Sequence, residues 1–312
     1  MRNLYFAPAM LGAAFGAALI AGLSVPALAQ TGAAAPAPQK MKCPIGGAAF
    51  DYRPAPQPAG IGMRPDGRPY ASGVVPPPLP ECPDNALVLY KDYSEEEVTK
   101  LTPLVDSADY QGLRNETQYY RAYWLMKAMG VDSDRYLLAL LQASWQAEDR
   151  PELRARYLAE FAEESAKVEP RPNDINWIGM EGRAVDALRE LGRFDEASAR
   201  LAKVPLDALN VADVAGASGA DAQRAQLRRT WLTYFEQQRT AIARRDSSAE
   251  PFDMIPRELA LRYCIERTSG LDTHQQAFCT QEAKAVDEMR TALSNTQVDL
   301  KALSRPRSES GR

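Results

Sequence analysis

From Ser94 onward, apolar residues recur at helical spacing for about two hundred residues, and proline or glycine interrupts the pattern at Gly130, Pro151, Pro170 with Pro172, Gly192 and Pro205. A chain patterned this way is predicted to form successive amphipathic helices of roughly ten to twenty residues joined by short turns. Tyr120, Tyr123 and Trp124 share one face; Leu137, Leu141 and Trp145 fall at four-residue steps on the next segment. Leu153, Tyr157, Leu158, Phe161, Ser165 and Val168 trace a stripe over the third. Ser94 with Glu97 has the spacing of a capping box, which satisfies free amides at a helix start. A longer helix is expected through Leu227, Trp231, Tyr234, Phe235 and Ile242. Pro256 to Arg267 and Thr273 to Leu293 read as a helical hairpin around Ser269-Gly270-Leu271-Asp272.

The segment 41–93 cannot continue that pattern. Pro and Gly are dense in it, as in Arg64-Pro65-Asp66-Gly67-Arg68-Pro69-Tyr70 and Pro76-Pro77-Pro78-Leu79-Pro80. Pro presets the torsion of a turn and Gly accepts positive φ, so Pro65-Asp66-Gly67 is predicted to turn. Ala48 to Arg53 and Ala86 to Tyr90 are the expected short strands, with the Pro-rich stretch laid over the surface. The fold class is thus mainly α: a TPR-like helical-repeat or helical-bundle domain over 94–295, preceded by a small Pro/Gly-rich lobe, irregular or a β-ribbon, over 41–93.

Residues 1–29 read as a signal peptide. Arg2 precedes an apolar, Ala-rich run from Ala9 to Leu23, and Ala27-Leu28-Ala29 forms an A-x-A cleavage site. Residues 30–40 are a small-residue linker, and 296–312 read as a disordered tail. No second apolar run approaches the roughly 20 residues of a membrane-spanning helix, so no transmembrane helix is expected in the mature chain. A periplasmic or secreted location follows.

Four cysteines in an exported chain point to disulfides, and four allow three pairings. Neighbour pairing, Cys43 with Cys82 and Cys264 with Cys279, avoids bringing together the ends of the long helical stretch. Cys43-Pro44-Ile45-Gly46 and Cys82-Pro83-Asp84-Asn85 each look like half of a C-x-x-C knuckle. Gly46 and Asn85 stand where the second thiols belong, and two thiolates without histidine leave the zinc shell incomplete, so no metal is expected. Cys279 with His274 five residues away is the sharper alternative, a reactive thiol.

The charge balance, 37 Lys and Arg against 41 Asp and Glu, gives a net charge of -4 and argues against a nucleic-acid partner. His274 is the single histidine, which excludes sites built on two imidazoles.

Leu188-Arg189-Glu190-Leu191-Gly192-Arg193-Phe194-Asp195-Glu196-Ala197, with Leu201 after it, resembles the centre of a tetratricopeptide repeat, with Gly192 at the tight turn and Ala197 at the helix contact. Glu181 occupies the place usual for Trp. The motifs at 43–50 (CPIGGAAF), 64–70 (RPDGRPY), 78–83 (PLPECP) and 119–124 (YYRAYW) resemble a bacterial family of unknown function in which a Cys-based, zinc-ribbon-like lobe precedes tetratricopeptide-like helices. That resemblance implies the two-part architecture and supplies no activity.

No residue pattern identifies a reaction, and no cofactor is implied. The function expected is a non-enzymatic module of the cell envelope that binds a protein or peptide partner in a groove between helix pairs. Arg64, Arg68 and Tyr70 on the turn, with Tyr119, Arg121, Asn176 and Arg183 off the apolar stripes, are the candidate binding residues. The alternative is a glycan hydrolase or lyase of the envelope working through a single carboxylate. Glu164-Ser165, the one Glu-Ser pair within the repeat-like stretch, falls in mid-helix.

Overall fold

The computed structural model describes residues 36–56, 60–71, 73–211, 219–267 and 269–296. The leader read over 1–29 lies outside them, as does the tail read over 296–312 apart from Thr296.

Two small antiparallel hairpins open the described chain. β1 (Gln39–Lys42) pairs with β2 (Ala49–Tyr52), from Gln39↔Tyr52 to Lys42↔Ala49. β1 begins inside the segment read as a linker. β3 (Gly60–Met63) and β4 (Pro69–Ala71) flank the turn predicted at Pro65-Asp66-Gly67. Gly67 takes φ +85°, the left-handed region open to glycine, and its amide donates to the Arg64 carbonyl at 2.9 Å.

The expected strand Ala86 to Tyr90 does not form as such; only Val88 bridges to Glu81. Its amides are satisfied otherwise, Leu87 by the Asn85 side chain at 3.0 Å, Val88 by the Tyr110 hydroxyl at 3.3 Å and Leu89 by the Pro80 carbonyl at 2.8 Å. With these donors met, the segment can be buried without a sheet. The Pro-rich stretch likewise goes inward rather than over the surface. Val75, Pro76, Leu79 and Pro80 are buried, because apolar residues with few amides to satisfy cost little to cover.

Eleven α-helices make up most of the described residues, so the protein is mainly α. α1 (Glu95–Val105) starts at the Ser94–Glu97 capping box and is followed by α2 (Ala108–Gly112). α3 (Gln118–Ala128), α4 (Ser133–Gln146), α5 (Pro151–Ser165), α6 (Ile175–Glu190) and α7 (Phe194–Leu201) pack each on the next in chain order. The breaks fall where proline and glycine predicted them. Gly192 takes φ +72° between α6 and α7, and Phe194, Ala197 and Leu201 are buried behind it. Glu181 is filled in by Arg200, which donates to both its oxygens at 2.6 and 2.8 Å.

α8 (Ala220–Ala243) lies across α6 and α7. It runs parallel to α6, since Trp231 meets Gly179 and Gly182 while Gln238 meets Asp186. α9 (Arg257–Glu266) and α10 (Thr273–Gln281) form the expected hairpin, but the second arm breaks at Glu282. α11 (Ala283–Thr296) then folds back onto α9 and buries Val286.

Both neighbour disulfides form, Cys43–Cys82 and Cys264–Cys279, each with Cα atoms 5.6 Å apart. Cys43 and Cys82 sit in one core with Leu87, Val88 and the inner faces of α1 to α5. α6 to α8 enclose a second core around Trp177, Ile178, Phe194 and Phe235. A third joins Phe252, Ile255 and Ala260 to Tyr70 of β4, Phe278 and the second disulfide. Among the described residues no helix is long and apolar enough to cross a membrane. The two disulfides fit an extracytoplasmic protein.

Candidate functional site

α6 is flanked by α5, α7 and α8, so its polar side chains are enclosed along with its apolar ones. Enclosed charges must be paired and hydrogen-bonded. Arg189, fully buried, donates from Nε and Nη2 to Asp186 Oδ1 at 3.1 and 2.6 Å, and from Nη1 to the carbonyls of Asp246 and Ser248 at 2.8 and 2.6 Å. Gln238 of α8 donates to the same Oδ1 at 2.6 Å. Arg183 donates to the Gly179 carbonyl at 2.9 Å and lies over the Trp231 ring, 5.2 Å from its centroid. Burial lowers the Arg183 guanidinium below its usual range.

The Arg64-to-Arg68 turn closes over this helix. Gly67 sits so near Arg183 that a Cβ there would lie 2.5 Å from Nε. Tyr234 of α8 reaches the Pro65 carbonyl at 2.9 Å and also lies 3.2 Å from the Gly182 carbonyl. Arg64 and Arg68 both pair with Glu148, just past the end of α4. Asp66, 2 % exposed, accepts from the Arg68 amide at 3.0 Å and lies 3.5 Å from Arg154 of α5. Arg154 donates in turn to Glu190 Oε2 at 2.6 Å. Burial first and Asp186 second push the Glu190 carboxyl up to about 7, against the pull of Arg154.

Of the residues singled out in the sequence, Arg64, Arg68 and Arg183 are therefore brought together, as an internal clasp between the lobe and the helices. Tyr70 joins the core around the second disulfide, and burial with Glu250 nearby raises its hydroxyl well above the usual range. Tyr119 and Arg121 lie apart from the clasp. The expectation that they face outward is corrected: both are buried, because the 75–90 segment covers that side of α3. Tyr119 donates to the Pro77 carbonyl at 3.1 Å. Arg121 donates to both Glu81 oxygens at 2.8 and 2.7 Å and to the Ala86 carbonyl at 2.7 Å, which holds the Glu81 carboxyl below its usual range despite desolvation. Asn176 is exposed at the start of α6.

Asp66, Arg154, Asp186, Arg189, Glu190, Tyr234 and Gln238 complete the clasp and were not legible in the sequence. On α6 the only local trace is Asp186, Arg189 and Glu190 within about one helical turn, the ordinary pattern of a solvated face. Glu164, the carboxylate weighed for catalysis, is not in mid-helix as expected but in the last turn of α5, which ends at Ser165; it is buried there and, despite desolvation, held below its usual range by Lys127 and Lys167, each at 2.6 Å. Among the described residues no three His, Cys, Asp or Glu side chains form a metal-holding group, and all four cysteines are in disulfides. Comparison with protein-family models, curated proteins and solved structures returned no match.

Proposed function

We propose that this chain is an exported protein of the cell envelope, periplasmic or secreted, and that it works as a non-enzymatic module binding a protein or peptide partner. The observation that carries this reading is the exposed side of the first half of α8, beside the start of α6. α8 buries only Phe235, Gln238, Ala241 and Ile242, all in its C-terminal half. Along its first half Leu227 is 43 % exposed, between the exposed Arg224 and Thr230. The parallel register that sets Gly179 on Trp231 places Asn176 at the level of Leu227 and Arg228. Leu227 with the polar side chains around it offers an apolar centre with a polar rim, the arrangement a small contact surface would use. The chain-order stacking of α3 to α7, with its repeat-like turn at Gly192, supports the same reading.

Among the described residues Glu190 is the carboxyl raised toward neutrality, the feature a single-carboxylate glycan hydrolase or lyase would use as a general acid. Its side chain is 3 % exposed and bonded to Arg154, so a substrate would reach it only with the clasp lifted.

The test is capture from an envelope extract on the immobilised full chain, compared with Leu227→Asp combined with Asn176→Arg, and with Arg239→Glu as the control on the exposed side farther along α8. A partner kept by the parent and the control but lost by the double variant supports the reading. Equal capture by a folded double variant overturns it.

A further inference from the structure

Asp186 and Glu190 stand one turn apart on the same face of α6, and both are sealed from solvent: Asp186 is fully buried and the Glu190 side chain is 3 % exposed. Each meets its donors through one oxygen. Asp186 Oδ1 takes Arg189 and Gln238, and Glu190 Oε2 takes Arg154. The other oxygens, Asp186 Oδ2 and Glu190 Oε1, meet no donor. Two ionised carboxylates in this arrangement carry two defects at once, a bare buried acceptor on each and repulsion between them. A single proton held between the pair would relieve both, because it cancels one of the two charges and gives the bare oxygens a hydrogen to share.

We propose that Asp186 and Glu190 share one proton, and that this proton pins a pH-sensitive latch holding the Arg64-to-Arg68 turn against α5 and α6. The groups around the pair define what its loss does. From the turn come Asp66 and Arg64; from α5 comes Arg154, which bridges Glu190 and Asp66. On α6 itself Arg189 holds Asp186 and Arg183 lies under the turn. α8 contributes the neutral Tyr234 and Gln238, and the segment after it contributes the Asp246 and Ser248 carbonyls, with Glu250 acting on Arg64. Glu148, after α4, grips Arg64 and Arg68 from outside. When the Glu190 proton passes to solvent water, Glu190, Asp186 and Asp66 become three neighbouring anions; Arg189 serves Asp186 and Arg64 lies 3.6 Å from Asp66, but Arg154 is left to serve both Glu190 and Asp66. α6 is fixed by helices on its flanks, so the turn that carries Asp66 is the part that yields. The rise of the Glu190 carboxyl to about 7 places this release near neutral pH.

The experiment is a pH titration of the full chain from about 5 to about 9, followed by infrared spectroscopy and by hydrogen exchange at the Arg64 and Gly67 amides. Those amides bond within the turn, to the Arg68 and Arg64 carbonyls. The parent is expected to show a protonated-carboxyl band at pH about 6 that disappears through about 7. The exchange protection of the two amides is expected to fall by up to about tenfold per pH unit as that single proton becomes harder to keep. Glu190→Gln, whose amide replaces the proton with a fixed donor, is expected to lack the band and to hold its protection level. Asp186→Asn, which removes the like charge, is expected to shift the band's loss to lower pH. Absence of the band in the parent, the same fall of protection in folded Glu190→Gln, or an unmoved titration in Asp186→Asn would each overturn the proposal. The parent spectrum decides it even where a variant does not fold.

Discussion

The Tyr234 hydroxyl lies 2.9 Å from the carbonyl of Pro65, a residue 169 positions earlier in the chain. That contact sets the tip of a loop in the N-terminal lobe directly on α8, with the Gly182 carbonyl of α6 3.2 Å from the same hydroxyl. The same hydroxyl accepts from Gln238 at 2.9 Å, so it links the loop to the network around Asp186. The turn is thereby a structural part of the helical domain, although its sequence is that of an exposed loop.

Gly67 is expected to be intolerant of any side chain for two separable reasons. Its φ of +85° costs an L residue about 1–2 kcal/mol, and the added Cβ would collide with Arg183, held between Trp231 and the Gly179 carbonyl. Gly270 has the same φ with nothing within 4 Å of the added atom. Urea denaturation of Gly67→Ala and Gly270→Ala should therefore show the greater loss at Gly67. Equal losses would mean that Arg183 moves aside freely.

Gly182→Ala sets helix propensity against packing. Alanine is worth about 1 kcal/mol over glycine in a helix interior. Here the new methyl would stand 3.0 Å from both Trp231 and Tyr234, and overpacking of this kind costs about 1–3 kcal/mol. A net loss of stability is expected on thermal unfolding, and a higher midpoint would show that α8 can shift outward.

Arg121→Ala removes one side of an ion pair whose arginine is 3 % exposed and leaves the Ala86 carbonyl without that donor. Glu81 is one-third exposed, so the loss is expected near the low end for a broken buried pair, about 3 kcal/mol. A cost below about 1 kcal/mol, the range of surface pairs, would count against the enclosed geometry. Charge reversal at Arg121 is accordingly a test of folding, not of partner binding.

The same pair predicts an acid limb. The Glu81 carboxyl is held below its ordinary value of 4.5, so the folded state binds its proton less readily than the unfolded chain does. Its contribution is complete above about 4.5 and is lost as pH falls through the lower folded value. Glu190 has the opposite sign: raised in the folded state, its contribution is complete below about 4.5 and is lost as pH rises through about 7. Glu81→Gln should flatten only the acid limb and Glu190→Gln only the other, as read from denaturation midpoints across pH. One variant altering both limbs would show that the two networks are coupled.

Removing the Cys264–Cys279 link by a double serine substitution should lower stability by about 3 kcal/mol for a closed interval of this size. The loosening should centre on α9, α10 and Tyr70, which share that core. Hydrogen exchange that rises first in α3 to α5 would contradict this order.

The helix breaks from α3 to α7 and the Cys264–Cys279 pairing were legible because each depends on neighbours close in the chain, whereas the break at Glu282 was not. Proline and glycine end helices through their own torsions, Ser94 and Glu97 cap within one turn, and Cys264 and Cys279 flank a single hairpin. Burial of charge was decided only by the tertiary structure. Arg183, Asp186, Arg189 and Glu190 have the spacing of a solvated helix face, and nothing within α6 reports that a turn more than a hundred residues earlier covers it. Arg121 is concealed in the same way by the 75–90 segment, whose prolines read as surface until its few amides are seen to be satisfied from within. Local sequence determines torsion and periodicity, whereas the solvation of a charge depends on every segment that comes near it. That is why the helices were predicted and the clasp was not.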